Sequence, residues 1–438
     1  MSPLEMGVLV LGALLFLLAL GMPIAFALGL VSLAALWVTE GFSAVVFSGE
    51  TFFAGLAQFG LVSIPMFILM GAAVSSSPAG RDLYEALDRW LNRVPGALVL
   101  SNIGACSLFA ALSGSSPATC AAIGKMGIPE MTKRGYPKPL AAGSIAAGGT
   151  LGILIPPSIT MIVYGIATET SIGRLFMAGI LPGLLLTGLF MAWALFDCWR
   201  RGYSLSEMTK RYTMHERFQA LPRVLPFLGI VLAILFVLYG GVATPSEAAG
   251  AGSFFCLLLA IVIYKMWQAR PLWNVFRSSL RESVMIMMII GASELFSFTL
   301  SSLFVTQSVA EWIAALEVNR WVLMGVINVF LLIAGFFLPP VAVILMTAPI
   351  LLPIITEAGF DPYWFAVVLT INMEIGLITP PVGLNLYVIN GIAPDISLKQ
   401  ILIGSAPFVG CMVLAIVILC LLPGLATWLP TAMMGQGF

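Results

Sequence analysis

Two proline pairs carry the first chemistry in this chain. GGTLGILIPPS occupies 148–158 and NMEIGLITPPV occupies 372–382. In each, an apolar helical run enters a Pro-Pro step. The second proline has no N–H to donate and its ring clashes with a carbonyl one turn back, so a membrane helix is expected to break there. The two breaks share a fixed offset: Gly376 lies 224 residues after Gly152, and Pro381 lies 224 after Pro157. The same offset carries Ser113-Gly114-Ser115-Ser116 onto Phe337-Leu338-Pro339-Pro340, a second pair of breaks. Broken elements in corresponding positions of two halves point to the ligand site of a secondary transporter.

A broken membrane helix leaves its last carbonyls without partners, and no water replaces them in lipid. Such oxygens suit a hard cation like sodium. The first predicted sodium site takes Ala110 and Ser113 from the end of one hairpin arm, and Gly152, Ile155 and Pro157 from the facing break. The offset gives a second site at Gly335, Gly376, Thr379 and Val382, where the Thr379 hydroxyl adds a side-chain ligand. The N-termini of the second hairpin arms offer N–H groups and the positive end of a helix dipole. Ser115, Ser116 and Thr119 are placed there to hold a carboxylate, with Pro340 and Asn385 as further substrate contacts. The other reading of these small residues is close helix packing alone. Glu294 and Glu374 lie in apolar stretches, where an ionisable group is costly and usually functional. Glu374, beside the second break, either faces the site or serves a helix end.

The elements that must position these residues are membrane helices. Of 438 residues, 60% are hydrophobic and 9% charged, against roughly 25% charged in a soluble domain. Long apolar runs over 224–239 and 401–422 fit an all-α polytopic membrane protein. A net charge of zero gives no case for a nucleic-acid partner. The chain has no GxSxG or HExxH motif, and its one histidine, His215, sits in a charged loop. It is therefore expected to be no enzyme and to need no cofactor beyond sodium as a coupling ion. Residues 1–20 lack a basic start and run on apolar, so they read as a span and not as a cleavable leader.

The pattern predicts two re-entrant hairpins, 96–128 and 321–355, and two broken spans, 140–167 and 364–392. Segments 81–93 and 308–317 read as amphipathic interfacial helices, the first with a solvated loop helix as the alternative. In the second half, 270–281 and 283–302 read as two separate pieces, and a span over 401–422 closes the chain. With the halves inverted and the first hairpin entering from the cytoplasm, every Lys and Arg except Arg174 and Arg320 falls on the cytoplasmic side. That is the positive-inside pattern, and it places both termini in the periplasm.

The chain resembles the large membrane subunit of tripartite ATP-independent periplasmic (TRAP) transporters, the DctM type. The resemblance covers nearly the whole chain. It rests on SIPMFILMG at 63–71, SGSSPATCAAIG at 113–124, GGTLGILIPPS at 148–158, GVATPSEAA at 241–249 and GLITPPVGLNLYV at 376–388. One departure is Pro339, where the family often has an acidic residue. The resemblance implies an inverted-repeat elevator-type transporter of the bacterial inner membrane, driven by sodium and not ATP. It divides the chain into scaffold spans 1–80, a first arm helix 81–94 and a first transport half 95–173. Scaffold spans 174–304, a second arm 305–319, a second transport half 320–396 and a last scaffold span 397–438 follow. The implied partners are a small four-helix membrane subunit and a periplasmic substrate-binding protein. The implied substrate is an organic acid: a dicarboxylate, keto acid or sugar acid. The nearest alternative is a self-sufficient sodium/carboxylate symporter of the same wider superfamily.

Overall fold

The computed structural model describes residues 2–91, 94, 96–200, 212–315 and 319–435, without the side chains of 223, 310 and 312–315. The ends of both expected arms (92–93 and 316–318) and most of the basic loop (201–211) lie outside that set.

Helix ends follow the local chemistry. The first half runs α1 (Pro3–Ala19), α2 (Ile24–Glu40), α3 (Phe42–Leu56), α4 (Ser63–Ser75), α5 (Ala79–Leu91), α6 (Ala97–Ser113), α7 (Ser116–Lys133), α8 (Lys138–Thr150), α9 (Ile159–Ala167) and α10 (Ile172–Arg200). The second runs α11 (Met214–Tyr239), α12 (Pro245–Val262), α13 (Ala269–Ser302), α14 (Val305–Ala315), α15 (Arg320–Phe337), α16 (Pro340–Glu357), α17 (Pro362–Leu377), α18 (Leu384–Ile392), α19 (Leu398–Leu421) and α20 (Gly424–Met434). Proline sits in the first turn of α7, α8, α16 and α17, where its missing N–H has no helical partner to lose. Ser158 caps α9 by accepting from the Met161 N–H, and Asp361 caps α17.

The two halves are built on one plan. α16 begins and ends 224 residues after α7, and α17 begins 224 after α8. Packing repeats in the same way. α4 lies along α12 as α13 lies along α2; α8 packs on α19 as α17 packs on α10; α9 meets α16 as α18 meets α7. Each pair joins one half to the other, which is the signature of a pseudo-two-fold axis. The fold is an all-α inverted repeat with two hairpins, α6–α7 and α15–α16, and two broken spans, α8–α9 and α17–α18.

Two elements, α13 and α20, differ from expectation. Segments 270–281 and 283–302 are one 34-residue helix, α13. Their counterparts α3 and α4 remain separate and are bent by 59°. The cause is legible: Gly60 and Pro65 at that bend correspond to Val284 and Ile289, so α13 has no breaker. A further helix, α20, follows the closing span and packs on α10 and α17. Helices α10 and α19, grouped by expectation with the scaffold, pack against the hairpins, the broken spans and each other. The largest fully buried aromatic side chains, Trp364, Tyr164, Phe109, Phe176, Phe190, Phe365 and Phe408, lie in this hairpin-centred group. Two of its buried aromatic polar atoms pair across elements: Trp364 donates to the Leu419 carbonyl at 2.8 Å and Tyr164 to the Pro362 carbonyl at 3.1 Å.

Candidate functional site

The tip of the first hairpin is a tight left-handed turn. Gly114 caps α6 at φ +59°, a conformation that favours glycine, and its N–H donates to the Ala110 carbonyl at 2.9 Å. A Cβ on Gly114 would sit 3.0 Å from the Pro157 carbonyl, so the turn touches the first break directly. Gly152 makes the reciprocal contact. A Cβ there would fall 2.7 Å from the Ser115 carbonyl and 2.8 Å from the Ser116 nitrogen. From behind, Gly71 of α4 is pressed against the Ser113 carbonyl with no room for a side chain.

Ser113, Ser115, Ser116 and Thr119 therefore come together with Ala110, Gly152 and Pro157. Their hydroxyls are mutually engaged: Ser113 Oγ and Thr119 Oγ1 are 2.8 Å apart, and Thr119 Oγ1 donates to the Ser115 carbonyl at 2.9 Å. Ile155 turns its side chain to Gly183 of α10.

Glu374 meets this tip and not the break beside it in sequence. It is fully buried, and Ser116 Oγ lies 3.0 and 3.2 Å from its two carboxyl oxygens. The Ile153 N–H in the break of the first half also donates to it. Ser116 Oγ is 3.4 Å from the Thr150 carbonyl, and Thr150 is the residue 224 positions before Glu374. Both repeat-related positions thus converge on one serine. Asn385 is buried on α18 and donates to the Ala146 carbonyl of α8 at 3.3 Å, so it too reaches across to the first half.

The second site is more open. Gly376 lies against the Gly335 carbonyl with no space for a Cβ, and the Val382 N–H donates to the Phe336 carbonyl at 3.2 Å. Gly335, Gly376 and Val382 are brought together at the end of α15. Thr379 Oγ1 is shielded from solvent and has no hydrogen-bond partner among the described residues, an oxygen free to accept a ligand. Pro340 is the first residue of α16 and half-buried, and Val382 is exposed.

Gly71 was the main residue that sequence reasoning missed, although SIPMFILMG was singled out. A mid-helix glycine at one close approach gives no periodic signal. Glu294 proves to lie away from both tips, against Gly55 of α3.

On a helix end remote from both tips, Arg134 of the hairpin joins Glu130 at 2.7 Å and Asp88 of α5 at 3.5 Å. Burial pushes the Asp88 carboxyl up, and Arg134 pulls it part of the way back.

Comparison with known proteins agrees with this architecture. The model of the Tripartite ATP-independent periplasmic transporter, DctM component, matches residues 11–425. A C4-dicarboxylate TRAP transporter large permease protein of Pseudomonas aeruginosa is 38% identical over 370 residues, covering 84% of this chain and 86% of that protein. One from Rhodobacter capsulatus is 34% identical over 96% of this chain and 98% of its own length. The crystal structure of the Alcanivorax borkumensis YdaH transporter shares the fold, with a TM-score of 0.65 at 16% identity over 92% of this chain and 91% of that one. With matches along nearly its whole length, the chain belongs to the DctM family, the large permease component of TRAP transporters.

Proposed function

We propose that this multi-pass inner-membrane permease imports an organic acid, driven by sodium and delivered by a periplasmic binding protein. A small membrane subunit completes the complex. The observation that carries the reading is the docking of the first hairpin tip on the first break, clasped by Glu374 from the other half. Buried carbonyls and hydroxyls at that junction, with the repeat-related set around Thr379, supply the oxygens that two sodium sites need. C4-dicarboxylates are the first acids to test, because the named relatives are C4-dicarboxylate permeases.

The motion is an elevator. Its moving body is α6–α10 with α15–α20, the two hairpins and broken spans with the helices that follow them, and α1–α4 with α11–α13 form the scaffold, whose Gly71 bears on the first tip. Arms α5 and α14 join the two. The basic residues other than Arg174 and Arg320 are cytoplasmic, and both termini are periplasmic. In support, Arg174 and Arg320 share one cavity with Pro423 at the end of α19, and the Lys138–Asp395 ion pair of 2.9 Å lies at its other end.

The test is uptake of a labelled C4-dicarboxylate into proteoliposomes under an inward sodium gradient. Uptake that needs the small subunit, the binding protein and sodium supports the reading. Uptake by the membrane part alone moves the chain to the self-sufficient carriers, and uptake indifferent to sodium rejects the ion sites.

A further inference from the structure

Arg277 and Arg281 stand one turn apart on α13, and both are exposed. Like charges at this spacing face each other and repel. Neither is within ion-pair distance of a carboxylate among the described residues. Glu282 is the nearest acid in sequence, but it adjoins Arg281 along the helix, and adjacent residues do not face each other. The fold plan does not ask for this pair. The positions 224 residues earlier are Phe53 and Ala57, at the end of α3. Two guanidinium groups without a counter-charge make a site for an anion, and their forks match phosphate oxygens.

The surroundings of the pair belong to a membrane surface. Val275, Ser279, Ser283 and Ile286 are buried at spacings of four, four and three, which turns one side of α13 to the protein. The outward side carries the arginines with Trp273 and Leu280, then Val284, Met285 and Met288, all exposed. α13 has 34 residues. That is about 51 Å of helix against a hydrocarbon core about 30 Å thick. The charges lie in the surplus at its N-terminal end, so the arginines come at headgroup depth and 284–288 at acyl depth. Trp273 at that level is an interfacial anchor. The exposed apolar strip over 280–288 runs for about 12 Å, most of one leaflet of about 15 Å. It ends where the Phe52 ring of α3 lies against Gly291.

We propose that Arg277 and Arg281 together hold the phosphate of an anionic phospholipid, with one acyl chain along Val284 and Met288 as far as Phe52. Two guanidinium charges favour a headgroup that carries no cation of its own. Phosphate alone would satisfy the arginines; the apolar strip that continues the same face selects a lipid as its source.

The test uses the purified full chain in detergent and phosphatidylglycerol with a photoreactive diazirine in its tail. Detergent offers lipid to both ends of the chain, so the result does not turn on which side faces the cytoplasm. Cross-links are expected on peptides covering 284–290. The double variant Arg277→Gln/Arg281→Gln should lower their yield by about tenfold or more, the worth of one charge-assisted contact. Arg277→Lys/Arg281→Lys should recover part of it. Both arginines are exposed, and a monodisperse elution profile checks that the variants fold. Equal labelling of wild type and the glutamine variant, or equal labelling by zwitterionic phosphatidylcholine, overturns the proposal. Inorganic phosphate that raises the unfolding midpoint as much as the lipid does, with no cross-link over 284–290, assigns the arginines to free phosphate and also overturns it. A cross-link lost on adding the small membrane subunit, whose co-purification then needs both arginines, gives this face to that subunit and overturns it as well.

Discussion

Ser116 joins three parts of the molecule: the first hairpin tip, the Thr150 carbonyl and Glu374 of the opposite half. Ser116→Ala would leave the buried Glu374 with the Ile153 N–H and without its hydroxyl donor. A lost bond of this kind costs about 1–3 kcal/mol. The expected result is a lower thermal-unfolding midpoint and weaker sodium dependence of uptake; an unchanged midpoint together with an unchanged sodium half-saturation would reject the clasp. Gly376→Ala tests the second junction. Its new methyl meets the Gly335 backbone, which cannot rotate away, so overpacking of about 1–3 kcal/mol is expected. The same change at Gly250, inside α12 with open space around it, should not lower the unfolding midpoint and should raise it slightly, since alanine favours a helix over glycine. At this scale sequence reading located the cluster of Ser113, Ser116, Thr119 and Gly152, because helix breakers and their repeat mark a junction. It left Glu374 undecided, because a side chain's partner 258 residues away leaves no trace in local spacing.

Between elements, α5 and α7 are linked by an ion pair. Asp88 of α5 is buried, and Arg134 at the end of α7 is the cation beside it, with Tyr212 3.5 Å away on the other flank. Arg134→Ala should loosen α5 from α7, since it strands a buried carboxyl. Asp88→Asn in the same chain should restore much of the lost unfolding midpoint, because it removes the charge that was stranded. The pH dependence has a definite sign. Burial holds the Asp88 carboxyl above its ordinary value, and a group held up in this way favours the folded state most at low pH and less as pH rises through its folded value. The Arg134→Ala penalty should therefore shrink as pH falls from neutral toward the carboxylate range, and a penalty that grows on acidification would contradict the account. Element boundaries were legible where a proline break stood at them, as at Pro340; the Asp361 cap was passed over, and that span was started at 364 instead of Pro362. The straight course of α13 was missed by carrying over a bend from α3 and α4, although the bend's Gly60 and Pro65 have no counterpart in it.

For the whole molecule, orientation is the property on which the functional reading turns. α19 crosses from the Lys138–Asp395 end to the Arg174–Arg320 end, so its two flanks must lie on opposite sides of the membrane. Lys399 and Ala432 are both exposed, one near each flank. In a Cys420→Ala background the other five cysteines are buried, which keeps labelling specific. Lys399→Cys should react with an impermeant maleimide only after the membrane is opened, and Ala432→Cys should react in intact cells. The reverse pattern would put most of the chain's cations outside, against the bias that sets topology. It would also turn the first hairpin toward the periplasm. The sealed tip with its Glu374 clasp would then face the side from which substrate arrives, and the open Thr379 set would face the cytoplasm. Which side of the membrane each tip faces depends on that one labelling result.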